Sequence, residues 1–293
     1  MTAETSIAFL GTGLMGSPMA KRLLAAGFPV TTWNRSSEKA LALVEYGAAF
    51  ATSPVEAVAE ADVVFVMLSD GPAVTDLLFS QGVAEALSIS TVVIDASSIP
   101  RDTAIEHARA LEALGIGHID APVSGGVVGA MAGALAIMAG GDKAVIASLS
   151  RVFAPLGRVT YVGPTGSGQL AKMANQQIVA ITIAAVAEAM ILVEAGGGSR
   201  KAFREAIRGG FAESRILEIH GGRMVDRDFT PGGLSRLQLK DLNTVRDTSS
   251  SLALELPTTE LVRSLFEKFV KNGGGEADHS ALLLHLEALN QNR

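Results

Sequence analysis

The sequence predicts an α/β protein with two domains: a doubly wound parallel sheet over residues 1–163 and an all-helical domain over residues 164–293. Three observations support this division. Short apolar segments alternate with helical segments in the first half, as in β-α-β units with right-handed crossovers. From Gly168 onward, strand-like segments are absent and apolar residues recur at helical spacing. A length of 293 residues also favours two domains over one.

The strands of the first half are predicted from short apolar runs that end in small or polar residues. The run at 61–68 is almost wholly apolar, as expected for a parallel strand buried on both faces. A helix is expected over 142–156, between the last two strands. The predicted strands are 7–10, 30–33, 61–68, 91–94, 118–122, 135–139 and 158–162.

A glycine-rich turn follows the first strand and precedes a helix, which is the context that makes such a motif informative. Its glycines would permit a tight turn, let a pyrophosphate approach the backbone, and let the helix pack on the strand. The alternative is a simple strand-to-helix turn, but the context favours a dinucleotide site and hence a Rossmann-type sheet. The predicted cofactor-binding residues of this turn are Gly11, Thr12, Gly13, Leu14, Met15 and Gly16.

The end of the second strand indicates which dinucleotide is bound. NAD-selective enzymes usually carry an acidic residue here to hold the ribose 2′-hydroxyl. This chain has Asn34, Arg35 and Ser36 instead, and a guanidinium suits a 2′-phosphate. We therefore expect NADP as the preferred cofactor, with NAD as a possible one. The alternative is that Arg35 lies in solvent.

Two further strand ends carry candidate cofactor contacts. Met67 and Leu68 close the third strand and would lie beside the cofactor at the carboxyl edge of the sheet. Ser98 follows the next strand, where its hydroxyl either caps the following helix or contacts the nicotinamide ribose.

A Ser-Gly-Gly turn at 124–126 is the candidate site for a substrate carboxylate. Ser124 supplies a hydroxyl, while Gly125 and Gly126 expose backbone N–H groups at an expected helix start. An ordinary capped turn is the alternative.

Lys172 and Asn175 begin a long helix expected over about 168–195, after the glycines at 163, 166 and 168. Residues three apart share a helix face, so an amine and an amide would be presented together. The positive field of the first turns should lower the pKa of Lys172. Lys172 is the predicted proton donor and acceptor.

The long helix is uncharged from Gln177 to Ala187 but is interrupted by Glu188 and Glu194, which favours a buried helix over a membrane span. A helix this apolar should be buried between domains or against a second subunit, so a homodimer or homotetramer is expected.

Lys240 starts a later helix and either lies at the surface or approaches the cofactor. Asp278 or Ser280 should cap the last helix, with His279 as a structural hydrogen-bonding residue.

Composition excludes several classes of function. The net charge of −6, without a basic stripe, argues against nucleic-acid binding. The chain has no cysteine, and its five histidines include no pair with zinc-ligand spacing, so no metal is expected. No basic leader precedes the first strand, and we expect a cytoplasmic protein without membrane association.

The chain resembles the β-hydroxyacid dehydrogenase family, which includes 3-hydroxyisobutyrate dehydrogenase and tartronate semialdehyde reductase. Four motifs match in order over almost the whole length, and the segments ANQ at 174–176 and DHSAL at 278–282 most resemble the tartronate semialdehyde reductase branch. The four motifs are GTGLMG at 11–16, DAPVSGG at 120–126, GSGQLAKMANQ at 166–176 and KDL at 240–242.

The resemblance implies roles for individual residues. Lys172 would be the catalytic acid/base, Asn175 would assist at the substrate, and residues 124–126 would hold its carboxylate. Lys240 would approach the nicotinamide end of the cofactor.

The resemblance also places Met67, Leu68 and Ser98 on cofactor-contacting positions. Relatives commonly carry an aromatic residue after Pro-Gly where this chain has Gly233, which should leave extra room near the pocket.

The function expected from these features is hydride transfer between NADP(H) and a small 3-hydroxy acid or its semialdehyde. Tartronate semialdehyde and 3-hydroxyisobutyrate types of substrate fit best. Glyoxylate or succinic semialdehyde reduction and imine reduction are alternatives, and a dinucleotide-binding module without catalysis is an alternative of another class.

Overall fold

The computed structural model describes residues 5–290 and divides the chain into two compact units, Met1–Lys172 and Met173–Arg293. The sheet lies in the first unit, and the described part of the second is built from helices, with one isolated β-bridge between Leu234 and Asp278. The predicted fold class is confirmed.

In the described part of the chain the sheet has nine strands: β1 (Ile7–Leu10), β2 (Val30–Trp33), β3 (Ala49–Phe50), β4 (Val63–Val66), β5 (Val92–Asp95), β6 (Gly117–Asp120), β7 (Val123–Ser124), β8 (Leu135–Gly140) and β9 (Gly157–Gly163). They are ordered β3-β2-β1-β4-β5-β6-β8-β7, and β9 pairs with β8. The strands β1 to β6 pair in parallel, whereas β8 is antiparallel to β6 and β7. The strand order changes direction beside β1, which is the position where doubly wound sheets bind ligands.

Side chains of each parallel strand alternate between two apolar layers, because successive residues of a strand face opposite sides. Phe9 and Phe65 pack with Met19 on one face, while Leu10 and Val66 belong to the core of the other. One row of register partners ends the central strands, so the segments that follow these strands all begin at one edge of the sheet. The row is Trp33, Leu10, Val66, Asp95 and Asp120.

Helices cover the sheet between strands. The predicted single helix over 142–156 is instead two helices separated at Leu149, where the backbone leaves helical geometry (φ −89°, ψ 12°). The two-residue strand β3 has too short an apolar run to be predicted. The helices are α1 (Gly16–Ala25), α2 (Ser37–Leu41), α3 (Pro54–Val58), α4 (Gly71–Thr75), α5 (Val83–Ala86), α6 (Arg101–Glu112), α7 (Gly126–Ala132), α8 (Lys143–Ser148) and α9 (Ser150–Phe153), with short 3₁₀ and π turns at Val44–Tyr46 and Asp76–Ser80.

The helix that carries Lys172 is α10 (Ser167–Ala195), whose predicted extent is confirmed. Asp278 caps the 3₁₀ turn His279–Ala281 that leads into the last helix, as predicted. The remaining helices are α11 (Arg200–Ala206), α12 (Arg215–Asp226), α13 (Ser235–Ser251), α14 (Pro257–Lys271) and α15 (Leu282–Asn290), with a further 3₁₀ turn at Gly274–Glu276.

One face of α10 forms part of the core of the helical unit. Ile183, Ala187 and Met190 are fully buried there among apolar residues of α12, α14 and α15. By length and composition alone α10 could cross a membrane, and 33% of its most apolar window is buried. One face of the helix packs in the core of the second unit, and the rest of this window is not buried within the described chain. Ile178 and Leu192 on the same helix remain 62% and 74% exposed within the chain.

Candidate active site

The glycine turn (residues 11–16) owes its shape to two positions where only glycine fits. Gly11 has φ of +102°, and a Cβ atom there would lie 2.3 Å from the Met67 carbonyl oxygen. A Cβ on Gly16 would lie 1.9 Å from the Gly11 carbonyl oxygen, so Gly16 permits α1 to pack on β1. A Cβ on Gly13 would meet nothing within 4 Å, which leaves open space at this backbone position.

Asn34 ties the end of β2 to the glycine turn. Its Oδ1 accepts from the Thr12 N–H at 3.0 Å, and its Nδ2 donates to the Ser36 carbonyl at 3.0 Å. The amide predicted to contact the cofactor therefore also has a structural role within the protein. Arg35 is exposed, and the Ser36 side chain makes no cap bond to α2.

The ends of β4 and β5 are joined by a serine that the sequence did not single out. The Ser97 hydroxyl accepts from the Leu68 N–H at 2.9 Å, and the Ser97 N–H donates to Asp95 Oδ1 at 2.9 Å. Helix α6 begins at Arg101 with Pro100 as its N-cap and no side-chain cap, so Ser98 is not its cap.

Two buried carboxyls end neighbouring strands, Asp95 on β5 and Asp120 on β6, and they are register partners. Burial raises the pKa of Asp95 from 3.8 to about 7, opposed by hydrogen bonds from Ser97, and Asp120 raises it further. Asp95 Oδ2 is buried and has no hydrogen-bond partner within residues 5–290. Burial also raises the pKa of Asp120, whereas N–H groups of the 166–169 segment, including those of Gly166 and Gln169, oppose the rise.

The Ser-Gly-Gly turn (residues 124–126) links β7 to α7, and the predicted helix start is confirmed. Ser124 is half-buried, while Gly125 and Gly126 are exposed and have φ of 134° and 62°. A Cβ on Gly126 would meet nothing within 4 Å, so this backbone is open to a ligand.

Lys172 lies in the second turn of α10, beside the Ser-Gly-Gly turn. Its Nζ donates to the Val123 carbonyl oxygen at 2.9 Å, one residue before Ser124. The structure therefore brings the predicted proton donor next to the predicted carboxylate site, both within the first unit.

Asn175 and Lys240 belong to the second unit and are linked through Asp241. Asn175 Nδ2 donates to Gln176 Oε1 at 3.0 Å, and Gln176 Nε2 donates to Asp241 Oδ2 at 2.7 Å. Because an ionised carboxylate only accepts, Asp241 fixes which end of the Gln176 amide faces Asn175. Lys240 is 36% exposed and pairs with Asp241 at 3.4 Å.

A polar cluster in the second unit brings together His220, Asp278 and His279, whose candidate ligand atoms lie within 4.8 Å of one another. Sequence spacing did not predict this grouping. The Asp278 oxygens already accept from the N–H groups of Gly232 and Gly233 and from Ser280, which explains the cluster as a hydrogen-bonded structure.

The expectation that Gly233 leaves extra room is wrong. A Cβ on Gly233 would lie 3.1 Å from Cε1 of His279, so the imidazole fills the adjacent space. His279 Nδ1 also lies 3.2 Å from Gln238 Oε1, consistent with the structural role expected for this histidine.

The glycine turn fits a bound dinucleotide. Among the residues that the structure describes, the buried Thr12 hydroxyl has no hydrogen-bond partner and the first turn of α1 has no side-chain cap. Together with the open space at Gly13, these features leave donors and room for phosphate oxygens at a helix start.

Comparison with known proteins agrees with this geometry. Residues 6–163 match the family model of the NAD binding domain of 6-phosphogluconate dehydrogenase. Residues 166–286 match the model described as NAD-binding of NADP-dependent 3-hydroxyisobutyrate dehydrogenase. The protein is therefore an NAD(P)-dependent oxidoreductase.

Three relatives define the family more closely. The chain is 42% identical to 2-hydroxy-3-oxopropionate reductase of Escherichia coli (strain K12) over 97% of both chains. It is 35% identical to an NAD-dependent L-serine dehydrogenase of Pseudomonas aeruginosa over 94% of this chain and 96% of that protein. The solved structure of Mycobacterium tuberculosis 3-hydroxyisobutyrate dehydrogenase with L-serine superimposes with a TM-score of 0.89 at 33% identity, covering 97% of this chain and 99% of that one. The chain belongs to the β-hydroxyacid dehydrogenase family, as the motifs predicted, and the alternative of a binding module without catalysis is set aside.

Several residues that shape the site were not predicted from the sequence. Asp120, Gln169 and Ser97 make hydrogen bonds between segments distant along the chain, and Gln176 joins Asn175 to Asp241. One sequence feature points to the two aspartates: two successive strands each end in aspartate, in IDAS at 94–97 and IDAPV at 119–123.

Proposed function

We propose that this enzyme interconverts a small 3-hydroxy acid and its semialdehyde with NADP(H), and that Lys172 is its general acid/base. The observation that carries the proposal is the 2.9 Å hydrogen bond from Lys172 Nζ to the Val123 carbonyl, because it holds an amine beside the Ser-Gly-Gly turn. Bound NADP(H) supplies or accepts a hydride at its nicotinamide ring.

The Ser-Gly-Gly turn binds the substrate carboxylate in this proposal. The Ser124 hydroxyl and the N–H groups of Gly125 and Gly126 are the donors, and the exposure of both glycines supports access from solvent. Binding at this turn brings the substrate carbonyl to the amine of Lys172.

Lys172 then exchanges a proton with the substrate oxygen. During reduction Nζ donates a proton to the oxygen as its carbon gains the hydride, and during oxidation Nζ takes that proton back. Asn175 lies three residues later on the helix and assists at the same face. Proton transfer of this kind typically contributes roughly 10²–10⁴-fold to the rate.

NADP is the cofactor we propose to be preferred. The end of β2 carries Asn34, Arg35 and Ser36 and no acidic residue, and the exposed guanidinium is available to a 2′-phosphate. The remaining cofactor contacts proposed are the glycine turn, Met67, Leu68, Ser98 and Lys240.

Tartronate semialdehyde, which is 2-hydroxy-3-oxopropionate, is the first substrate to test. The 42% identity over 97% of both chains to a 2-hydroxy-3-oxopropionate reductase supports this choice. Glyoxylate and succinic semialdehyde carry the same carboxylate and aldehyde groups and belong in the same screen. Imines form a separate group of substrates in this screen, because imine reduction needs no carboxylate at the Ser-Gly-Gly turn.

A homo-oligomer in the cytoplasm is the proposed working state. The exposed apolar side chains of Ile178 and Leu192 on α10 support association of copies. Sedimentation equilibrium should give a mass of two or four times 30.3 kDa, and a mass of one chain would contradict the proposal.

The decisive experiment is a substrate screen with NADPH and NADH, run on the wild-type enzyme and on Lys172→Ala. We expect kcat of Lys172→Ala to fall by roughly 10²–10⁴-fold. Affinity for NADPH should be retained. Lys143→Ala, at an exposed position of the same unit, is the matched control and should keep full activity. Unchanged turnover in Lys172→Ala would refute the assignment.

A further inference from the structure

The carboxylate of Asp120 bonds to the start of the lysine helix. Oδ1 accepts from the Gly166 N–H at 2.8 Å, and Oδ2 accepts from the Gln169 N–H at 2.9 Å. Asp120 is fully buried, and its two oxygens satisfy N–H groups that lack partners within the helix. A carboxylate at this end also complements the positive helix terminus.

Two glycines allow the strand end and the helix start to approach this closely. A Cβ on Gly168 would lie 2.3 Å from the Asp120 carbonyl oxygen, and a Cβ on Gly140 would lie 2.6 Å from Asp120 Oδ1. The close approach therefore depends on both residues being glycine.

Gln169 attaches the same helical turn to the end of β5. Its Nε2 donates to the Ser97 carbonyl at 2.8 Å, its Oε1 accepts from the Ile99 N–H at 3.2 Å, and the residue is 1% exposed. Lys172 follows Gln169 by three residues, on the same face of α10. The first turn of the helix is thus bonded to two strand ends immediately before the lysine.

Asp120 and Lys172 belong to a closed ring of interactions. One side of the ring is the chain from Asp120 to Val123, and the other is the helical turn from Gln169 to Lys172. The carboxylate of Asp120 closes one end through the Gln169 N–H, and Lys172 Nζ closes the other through the Val123 carbonyl. Without the carboxylate, its two hydrogen bonds to the helix start are lost, and the position of the amine relative to the Ser-Gly-Gly turn depends on the remaining bonds of Gln169 and Lys172.

We propose that Asp120 is a positioning residue for Lys172: it fixes the helix start against β6, so that the lysine amine meets the Ser-Gly-Gly turn. The inference rests on the proposed role of Lys172 as proton donor. Asp120 acts through the helix and does not touch the substrate. A displacement of about 1 Å at a reacting group can cost on the order of 10²-fold in rate.

The test is Asp120→Asn, which keeps one acceptor but turns an amide N–H₂ group toward a backbone N–H donor. We expect kcat to fall about 10–100-fold after correction for the concentration of NADPH-binding sites, in keeping with a displaced proton donor. The Kd for NADPH should stay within about threefold, because the glycine turn is untouched. The primary deuterium isotope effect with 4-deuterated NADPH should rise toward its intrinsic value, because the chemical step is slowed.

The matched control is Asp142→Asn. Asp142 accepts the N–H groups of Ala144 and Val145 at the start of α8, so the change removes a capping carboxylate at an exposed position of the same unit. Its kcat and isotope effect should match those of the wild type. An Asp120→Asn enzyme with wild-type kcat and isotope effect per NADPH-binding site would overturn the inference.

Two further variants keep the test decisive. If Asp120→Asn does not fold, Asp120→Ser is the second variant, because its shorter side chain cannot reach both the Gly166 and the Gln169 N–H groups. We expect a kcat loss of about 10–100-fold and a raised isotope effect from the same displacement, and unchanged values would overturn the inference. Adding Asp120→Asn to Lys172→Ala should lower the residual rate no further, since both changes affect one group. A full additional loss would contradict a role exercised through Lys172. Wild-type turnover in Lys172→Ala alone would instead refute the proposed function.

Discussion

The buried carboxyl of Asp95 should make the stability of the sheet unit depend on pH. Burial raises its pKa from 3.8 to about 7. A folded-state pKa above the unfolded value means that the unfolded chain releases its proton first. The stability associated with the protonated carboxyl is therefore fully present below about pH 4 and is lost as the pH rises to about 7.

The magnitude follows from the size of that shift. Each pKa unit corresponds to about 1.4 kcal/mol, so the free energy of unfolding should lose about 4 kcal/mol in total through this group. Between pH 5 and pH 8 the loss should be about 2.5 kcal/mol. Asp95→Asn does not titrate, and its own cost of burying an amide is the same at both pH values. The free energy of unfolding of the variant, relative to that of the wild type, should therefore rise by about 2.5 kcal/mol from pH 5 to pH 8.

Urea unfolding can measure this difference if it is followed by the fluorescence of the single tryptophan, Trp33, which lies on β2 of the sheet unit. Unfolding curves of the wild type and Asp95→Asn would be recorded at pH 5, 6, 7 and 8 at constant ionic strength. Asp142→Asn, at an exposed position, is the control that measures how the loss of one carboxylate alone changes the free energy of unfolding. A stability difference that stays constant from pH 5 to pH 8 would refute the reasoning about Asp95.

Three other substitutions test steric and electrostatic features of the structure. Gly16→Ala would put a Cβ 1.9 Å from the Gly11 carbonyl oxygen, so NADPH affinity should fall at least tenfold in a fluorescence titration, and unchanged affinity would contradict the packing described. Arg35→Asp should move the ratio of kcat/KM for NADPH and NADH at least tenfold toward NADH, and a wild-type enzyme that already prefers NADH would contradict the role of Arg35. Gly233→Ala would bring a Cβ to 3.1 Å from the His279 ring and should lower the melting temperature by a few degrees, equivalent to about 1–2 kcal/mol of overpacking. An unchanged melting temperature would show that the imidazole moves aside at little cost.

Much of the first unit could be predicted because local patterns determine it. The strands at 7–10 and 30–33 are bounded as predicted, since each is followed by a residue that favours a turn, Gly11 or Asn34. The glycine turn was recognisable from its spacing between a strand and a helix. The long helix α10 followed from its apolar composition and the glycines before it.

What the sequence left undetermined depends on contacts between distant segments. Gly233 suggested free space, but His279, 46 positions later in the sequence, fills it. The place of Ser98 after a strand predicts a cofactor contact, whereas the hydroxyl of its neighbour Ser97 accepts from the Leu68 N–H. The position of Asn34 likewise predicts a cofactor contact, and its amide bonds to Thr12 and Ser36 within the protein. Spacing identifies a residue near a site, but only the folded chain shows which atom of it is already used.

The common end of the central strands explains why so many of the proposed site residues follow strands directly. Leu10, Val66, Asp95 and Asp120 are successive register partners, so the residues just beyond them meet along one edge of the sheet. A slip of β6 by one residue would turn Asp120 to the opposite face, because side chains alternate along a strand. Asp120 could then no longer accept the N–H groups that begin the lysine helix, and Lys172 would lose its place beside the Ser-Gly-Gly turn. The apolar residues that fix the strand register therefore also determine where the proposed proton donor lies.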